Sequence, residues 1–358
     1  MSVATDRLPP WTLAVPIVAL AVELLLHGNT GVAAGLVLGA ALIGAVLAAV
    51  HHAEVVALRV GEPFGAIILA LAVTVIELGL IVSIMLGDHP KPTLVRDTIH
   101  AVVVLVLHGL AGLCIVVGTI QHREQDFSIQ GAQAYLSVLL PMVAVTLILP
   151  NFTISAPGPF YTTKQLAFVS IACLLLWLAF TFIQTVLHRE YFTPARPAEE
   201  HGPRPSGRVA SVALGMLALA LIAVVLLAKG VSPLVQTAVE AAGGPPALVG
   251  VIVAAIVLLP EGATALRSAR EDRLQTSINL ALGSAVASIG LTVPTVAAIA
   301  WWTSSPLELG VSPGGALLLG LSFMMAIITY GTGRVNLLSG MVHLIVLAIW
   351  LFLIIVAP

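Results

Sequence analysis

Apolar runs of about twenty residues, the length that crosses a bilayer as a helix, recur eleven times along these 358 residues. They fall at 11–26, 31–50, 63–86, 99–120, 134–150, 165–187, 209–228, 246–266, 276–301, 313–333 and 337–356. No single globular core needs so many. Composition agrees: 59% of residues are hydrophobic and 9% are charged, against about 25% charged in soluble domains. The runs lack the alternation of barrel strands. In lipid each backbone polar group needs a partner within the protein, and a helix supplies one inside every segment. The expected fold is therefore an all-α integral membrane protein. The run from Trp11 to Leu26 has no small-residue cleavage site after it and reads as a retained span rather than a signal peptide.

Lys and Arg set the expected topology, because they concentrate in cytoplasmic loops. With the N-terminus inside, Arg7, Arg59, Arg123, Arg189, Arg196, Arg204, Arg208, Arg267, Arg270, Arg273 and Arg334 share the cytoplasmic side. Lys91, Arg96, Lys164 and Lys229 remain for the other side. An odd number of spans then places the C-terminus outside. Arg outnumbers Lys twelve to three, a bias typical of GC-rich bacterial genomes, so the expected location is a bacterial inner (plasma) membrane. A formal net charge of −2 gives no footprint for nucleic acid. The expected partners are inorganic cations and the lipid bilayer. Cys114 and Cys173 lie in separate runs, form no ligand motif and read as small core residues.

The proline-rich stretch 188–208 reads as a cytoplasmic linker between two halves. That leaves an N-terminal transmembrane helix within 1–30 and five-helix repeats at 31–187 and 209–358. Five spans per half is odd, so the repeats have opposite orientation. Such inverted repeats hold a substrate site near the midplane. A shift of 184 residues lays Ala70 on Ala254, Val73 on Val257 and Glu77 on Glu261. The two aligned motifs occupy 61–112 and 245–294.

Glu77 and Glu261 are the leading functional candidates. A carboxylate in the bilayer core costs about 2.5–3.5 kcal/mol on insertion scales, so such residues are rare and usually functional. Two carboxylates facing one cavity cannot both ionise cheaply. A divalent cation or two protons neutralise them, which suits exchange of one for the other. The alternative is a pair of buried, protonated carboxyls bonded to neighbouring helices. Pro260 removes a backbone donor and frees a carbonyl near Ile256, beside Glu261. Thr74 lies one turn before Glu77, either beside the site or bonded to its own helix. Ser277, Ala281, Ser284, Ser288 and Thr292 form a small, polar stripe that serves helix packing, favoured for Ser277 and Thr292, or an ion pathway, for which Ser284, Ser288 and the nearby Asn279 are the candidates. His100 and His108 suggest a proton relay, against a core role for His108. Glu23 has no repeat partner, and His27, His51 and His52 are expected in solvated loops.

The stretches LRVGEPFGAIILALAVTVIEL, PTLVRDT, LLPEGATAL, INLALGSAVASIGLTVP and GTGRVNLLSGMVHL carry a likeness. Together they resemble the ChaA-type calcium/proton antiporters, in the cation/proton exchanger branch of the calcium/cation antiporter superfamily. The likeness covers most of the chain from Arg59 to Ile355. It implies two α-repeats, each with a Glu that binds the cation and exchanges protons, here Glu77 and Glu261. It implies transported Ca2+ and H+ and no further cofactor, with Na+ or K+ in place of Ca2+ as the rival. The Gly-Asn dipeptide that precedes each Glu in the wider family is Val73-Thr74 and Val257-Leu258 here. The acidic regulatory stretch is reduced to Glu190, Glu199 and Glu200.

An enzyme is the rival from another class. Ser339 and His343 are four residues apart and suggest an intramembrane hydrolase. No nucleophile-elbow motif surrounds Ser339, and neither HExxH nor a P-loop occurs.

Overall fold

The computed structural model describes residues 8–29, 31–61, 64–85, 92–193 and 204–356, apart from the side chains of 64, 66, 67, 70, 83 and 84. Arg7, Lys91, Arg196, Glu199, Glu200 and the middle of the expected linker lie outside the described residues. Eleven helical rods make up the rest, one for each apolar run. They are α1 (Pro10–Leu26), α2 (Val32–Val60), α3 (Phe64–Met85) and α4 (Leu94–His122). Next come α5 (Ile129–Phe152), α6 (Thr163–Leu187) and α7 (Gly207–Ala241). The last four are α8 (Ala247–Arg270), α9 (Leu274–Thr303), α10 (Pro313–Tyr330) and α11 (Leu337–Ile355). Nine of these described helices are long and apolar enough to cross a membrane, while α1 and the apolar part of α3 are shorter.

Helix ends follow local chemistry. Thr162 starts α6 with a capping box: its hydroxyl accepts from Gln165 N–H, and the Gln165 side chain reaches back to the Thr162 N–H. Ser128, Ser206, Ser312 and Asn336 cap α5, α7, α10 and α11 with side-chain oxygens. Three helices contain π turns, at Leu105–Leu110 in α4, Ala144–Ile148 in α5 and Ile183–Leu187 in α6. Hydropathy carries no trace of them.

The chain forms two compact units, 1–91 with 198–246 and 92–197 with 247–358. The first contains α1, α2, α3 and α7. Helix α2 presents Ala45, Ala48, Ala49 and Ala53, all fully buried, and α7 presents Ala213, Ala220, Ala223 and Leu227. Small side chains let the two backbones approach, the usual means of packing helices in lipid, where burial of apolar surface supplies no drive. Helix α2 runs to Val60, ten residues past its apolar run, and carries His51 and His52 inside it. This corrects the expectation of solvated loops for these two. His52 is fully buried, with Nε2 2.9 Å from the Thr12 carbonyl of α1. That partner and the flanking alanines keep the apolar face continuous.

The second unit contains the other seven helices. One end is fastened by an antiparallel pair of short strands, β1 (Glu124–Asp126) and β2 (Arg334–Asn336). Gln125 donates to the Ala269 carbonyl at 2.9 Å and His122 Nε2 meets the Arg270 carbonyl at 2.9 Å, tying the α8–α9 turn to the same end. Arg123, Arg267, Arg270, Arg273 and Arg334 therefore gather at one end of this unit. Asp126 and then Glu124 raise the pKa of Arg334 above its ordinary value. At the opposite end Arg96 pairs with Asp97 at 2.9 Å and with Glu308.

Helix α11 crosses α4 at a glycine. A Cβ on Gly340 would stand 2.8 Å from the Val116 backbone nitrogen and 3.0 Å from the Gly112 carbonyl oxygen, and backbone cannot yield as a side chain does. Gly340→Val is expected to destabilise the protein by about 1–3 kcal/mol or more, as overpacking does. The unfolding midpoint in detergent reads this. Gly39→Ala is the control, since nothing lies within 4 Å of a Cβ there. It should leave the midpoint unchanged or raise it slightly, because Ala is favoured over Gly in a helix interior by about 0.5–1 kcal/mol.

Candidate functional site

Glu77 lies past the middle of α3 and is 1% exposed, and Thr74 one turn earlier is 4% exposed. Helix α3 packs on α2 and α7. Close to Glu77, Gly79 allows α7 to approach: a Cβ there would lie 2.8 Å from Val225 Cγ2. The acid is therefore enclosed by its unit rather than turned to lipid.

Glu261 follows Pro260 in the second half of α8 and is half-buried. The Pro260 carbonyl accepts from the Thr264 hydroxyl at 3.2 Å. Ser277 of α9 donates to the Ala265 carbonyl at 2.7 Å, which fixes the register of this antiparallel helix pair. Counting away from that bond, Glu261 is level with Ala281, and Ser284 falls within a turn of it. Ser288, 5% exposed, stands about 10 Å from the level of Glu261 at about 1.5 Å per residue. Ser284 is thus the nearer of the two in depth.

Asn279 stands elsewhere. Its amide nitrogen donates to the Phe192 carbonyl at 2.6 Å, and its side-chain oxygen accepts from Gln275 at 2.8 Å. The Tyr135 hydroxyl meets its backbone carbonyl at 3.3 Å and accepts from Gln184 at 2.6 Å. Asn279 fastens the segment after α6 onto α9 at the arginine-bearing end of the unit. His100 is also engaged: Trp350 Nε1 donates to its Nε2 at 3.3 Å, with the rings edge to face at 5.6 Å.

His108 has a partner that hydropathy could not supply. It sits in the π turn of α4, fully buried, with Nδ1 2.8 Å from Nδ1 of His343 on α11. His343 Nε2 lies 2.9 Å from the Thr329 hydroxyl. The only warning in the sequence was a histidine deep inside each of two apolar runs, His108 and His343. Ser339 does not join His343: its hydroxyl bonds to Asn336 at 3.4 Å on an exposed helix start. The serine–histidine pair of a hydrolase is not formed. Glu23 of α1, 3% exposed, accepts from His27 at 2.9 Å. Among the described residues no cluster of three or more His, Cys, Asp or Glu is disposed to hold a metal. A transported ion is held more loosely, by carboxylates and carbonyl oxygens.

These helices and buried acids fit a membrane exchanger, and comparison with known proteins agrees. The model of the sodium/calcium exchanger protein family matches residues 16–186 and 212–356. The chain belongs to this family. It is 43% identical to the putative ionic transporter y4hA of Sinorhizobium fredii over 99% of this chain and 98% of that one. It is 32% identical to the sodium-potassium/proton antiporter ChaA of Escherichia coli over 87% and 86%. Identity to the Ca(2+)/H(+) antiporter ChaA of Bacillus subtilis is 27% over 61% and 63%. The fold matches the solved structure of native YfkE with a TM-score of 0.74, covering 97% and 98% at 18% identity. The chain is thus a multi-pass membrane protein of the cation antiporter class.

Proposed function

We propose that the chain is a secondary active antiporter that exports Ca2+ in exchange for H+, with Glu77 and Glu261 as the carboxylates that take either ion. The observation that carries this reading is Glu77, an acid 1% exposed within an apolar helix of an exchanger-family chain. Desolvating such a group is too costly to be incidental. Its register with Glu261, 184 residues on, supplies the second carboxylate. Loaded with a divalent ion or with two protons, the pair is neutral and moves between the two faces. Empty, it carries two like charges and does not. That asymmetry couples the two gradients by alternating access. Thr74 and Ser284 are the nearest candidates to support the carboxylates.

The name of the Escherichia coli relative favours a second reading, Na+ or K+ for H+ on the same scaffold. One carboxylate then stays protonated beside a monovalent ion. The arginine-bearing end of the second unit favours a cytoplasmic placement for that end, with the N-terminus inside a bacterial inner membrane and the C-terminus outside.

Proteoliposomes test this directly. With the interior acid and no other gradient, Ca2+ added outside is expected to accumulate while protons leave. Accumulation of Na+ or K+ but not Ca2+ would establish the second reading, and no proton-driven flux of any of the three would overturn both.

A further inference from the structure

We propose that His108, His343 and Thr329 form a proton-conducting chain joining the turn that carries Glu261 to the arginine-bearing end of the second unit. The inference rests on Glu261 exchanging protons, as argued above, and adds the route by which they arrive. His108 is the central residue of α4, with fourteen residues on either side between Leu94 and His122. Its π turn packs against α8, where Leu110 Cδ1 would lie 3.6 Å from a Cβ on Gly262, the residue after Glu261. On its other side the turn meets α11 through His343. The chain ends at Thr329, the penultimate residue of α10, where the Thr332 hydroxyl donates to the carbonyls of Thr329 and Arg334.

The two facing Nδ1 atoms require opposite states: one bears the hydrogen and the other accepts it. When His108 Nδ1 holds the proton, its Nε2 is a bare lone pair, fully buried and with no hydrogen-bond partner among the described residues. A proton arriving at that Nε2 forms a new N–H bond. The His108 Nδ1–H bond then breaks as the His343 Nδ1–H bond forms, and His343 passes its Nε2 proton to Thr329 Oγ1, whose own proton leaves. One proton enters, one leaves, and no heavy atom need move. The reverse tautomers conduct in the opposite direction. The open nitrogen faces out of a π turn, a feature that recurs at functional sites. The other titratable groups on the elements packed against this turn are Arg96, Asp97, His100, Cys114 and His122 on α4, Glu261, Arg267 and Arg270 on α8, and Tyr330 on α10.

The test compares two transport modes in proteoliposomes, using radiolabelled Ca2+ and Na+. Proton-coupled uptake needs protons to reach the site, whereas isotope self-exchange at equal pH on both faces does not. His343→Gln and the isosteric Thr329→Val are expected to slow proton-coupled uptake about tenfold or more, with self-exchange within about twofold of wild type. Equal loss of both modes in Thr329→Val, the least disruptive change, or no loss in either variant, would overturn the relay. Glu261→Gln measured alongside separates the two ideas. If it keeps both modes, the reading of Glu261 fails. If it loses them while His343→Gln and Thr329→Val run normally, only the relay fails.

Discussion

Glu77→Gln and Glu261→Gln are each expected to abolish proton-coupled cation flux while the protein still folds. Glutamine keeps the shape and one oxygen of a protonated carboxyl, so helix packing around residue 77, 1% exposed, is preserved. What is lost is one negative charge. Two unit charges about 4 Å apart at an effective dielectric of about 20 attract by about 4 kcal/mol, and a divalent ion doubles that. Even with half lost to desolvation and rearrangement, binding weakens by about 100-fold or more. The proton cycle fails as well, because an amide does not titrate. Flux in proteoliposomes, with the unfolding midpoint as a folding control, decides the matter. Full transport by either variant would remove that residue from the site. Glu23→Gln is the comparison: Glu23 has no repeat partner and is hydrogen-bonded to His27, so on the proposed reading its change is expected to leave flux intact.

The second large effect is on pH. On the proposed exchange, protons and cations compete for the same oxygens, so cation binding is expected to strengthen as pH rises and weaken as it falls. Each carboxylate that must give up a proton before the ion binds contributes about tenfold per pH unit below its pKa. A Ca2+ site built from both carboxylates should lose about 100-fold in affinity per unit in that range, and a monovalent site using one charge about tenfold. Half-saturating concentrations measured with equal pH on both faces give the slope. A slope of two supports the calcium reading, a slope of one the sodium or potassium reading, and a flat profile would sink competition altogether.

Much of the architecture was legible in the chain because membrane helices announce themselves by length and hydropathy. All eleven runs became helices. Helix ends were less legible, since α2 and α7 continue past their apolar stretches on polar residues such as His52 and Gln236 that find partners nearby. Side-chain partnerships were hidden for a different reason. Ser277, Ser284 and Ser288 share one stripe in sequence with Asn279 close by, yet Ser277 and Asn279 bond to carbonyls of other segments. Which member of a stripe meets which neighbour depends on helix register, fixed here by single hydrogen bonds. The facing of His108 and His343, 235 residues apart, depends on a π turn that no periodicity encodes.

The membership of the first unit has a consequence for synthesis. Helices α1, α2 and α3 emerge early, but the partner that completes their bundle, α7, ends at Ala241. The ribosome must deliver three further spans, α4 to α6, before that bundle closes. Glu77 therefore enters the bilayer with α2 already beside its helix but long before α7 exists, and for that interval one flank of the helix that carries this acid lacks its final partner.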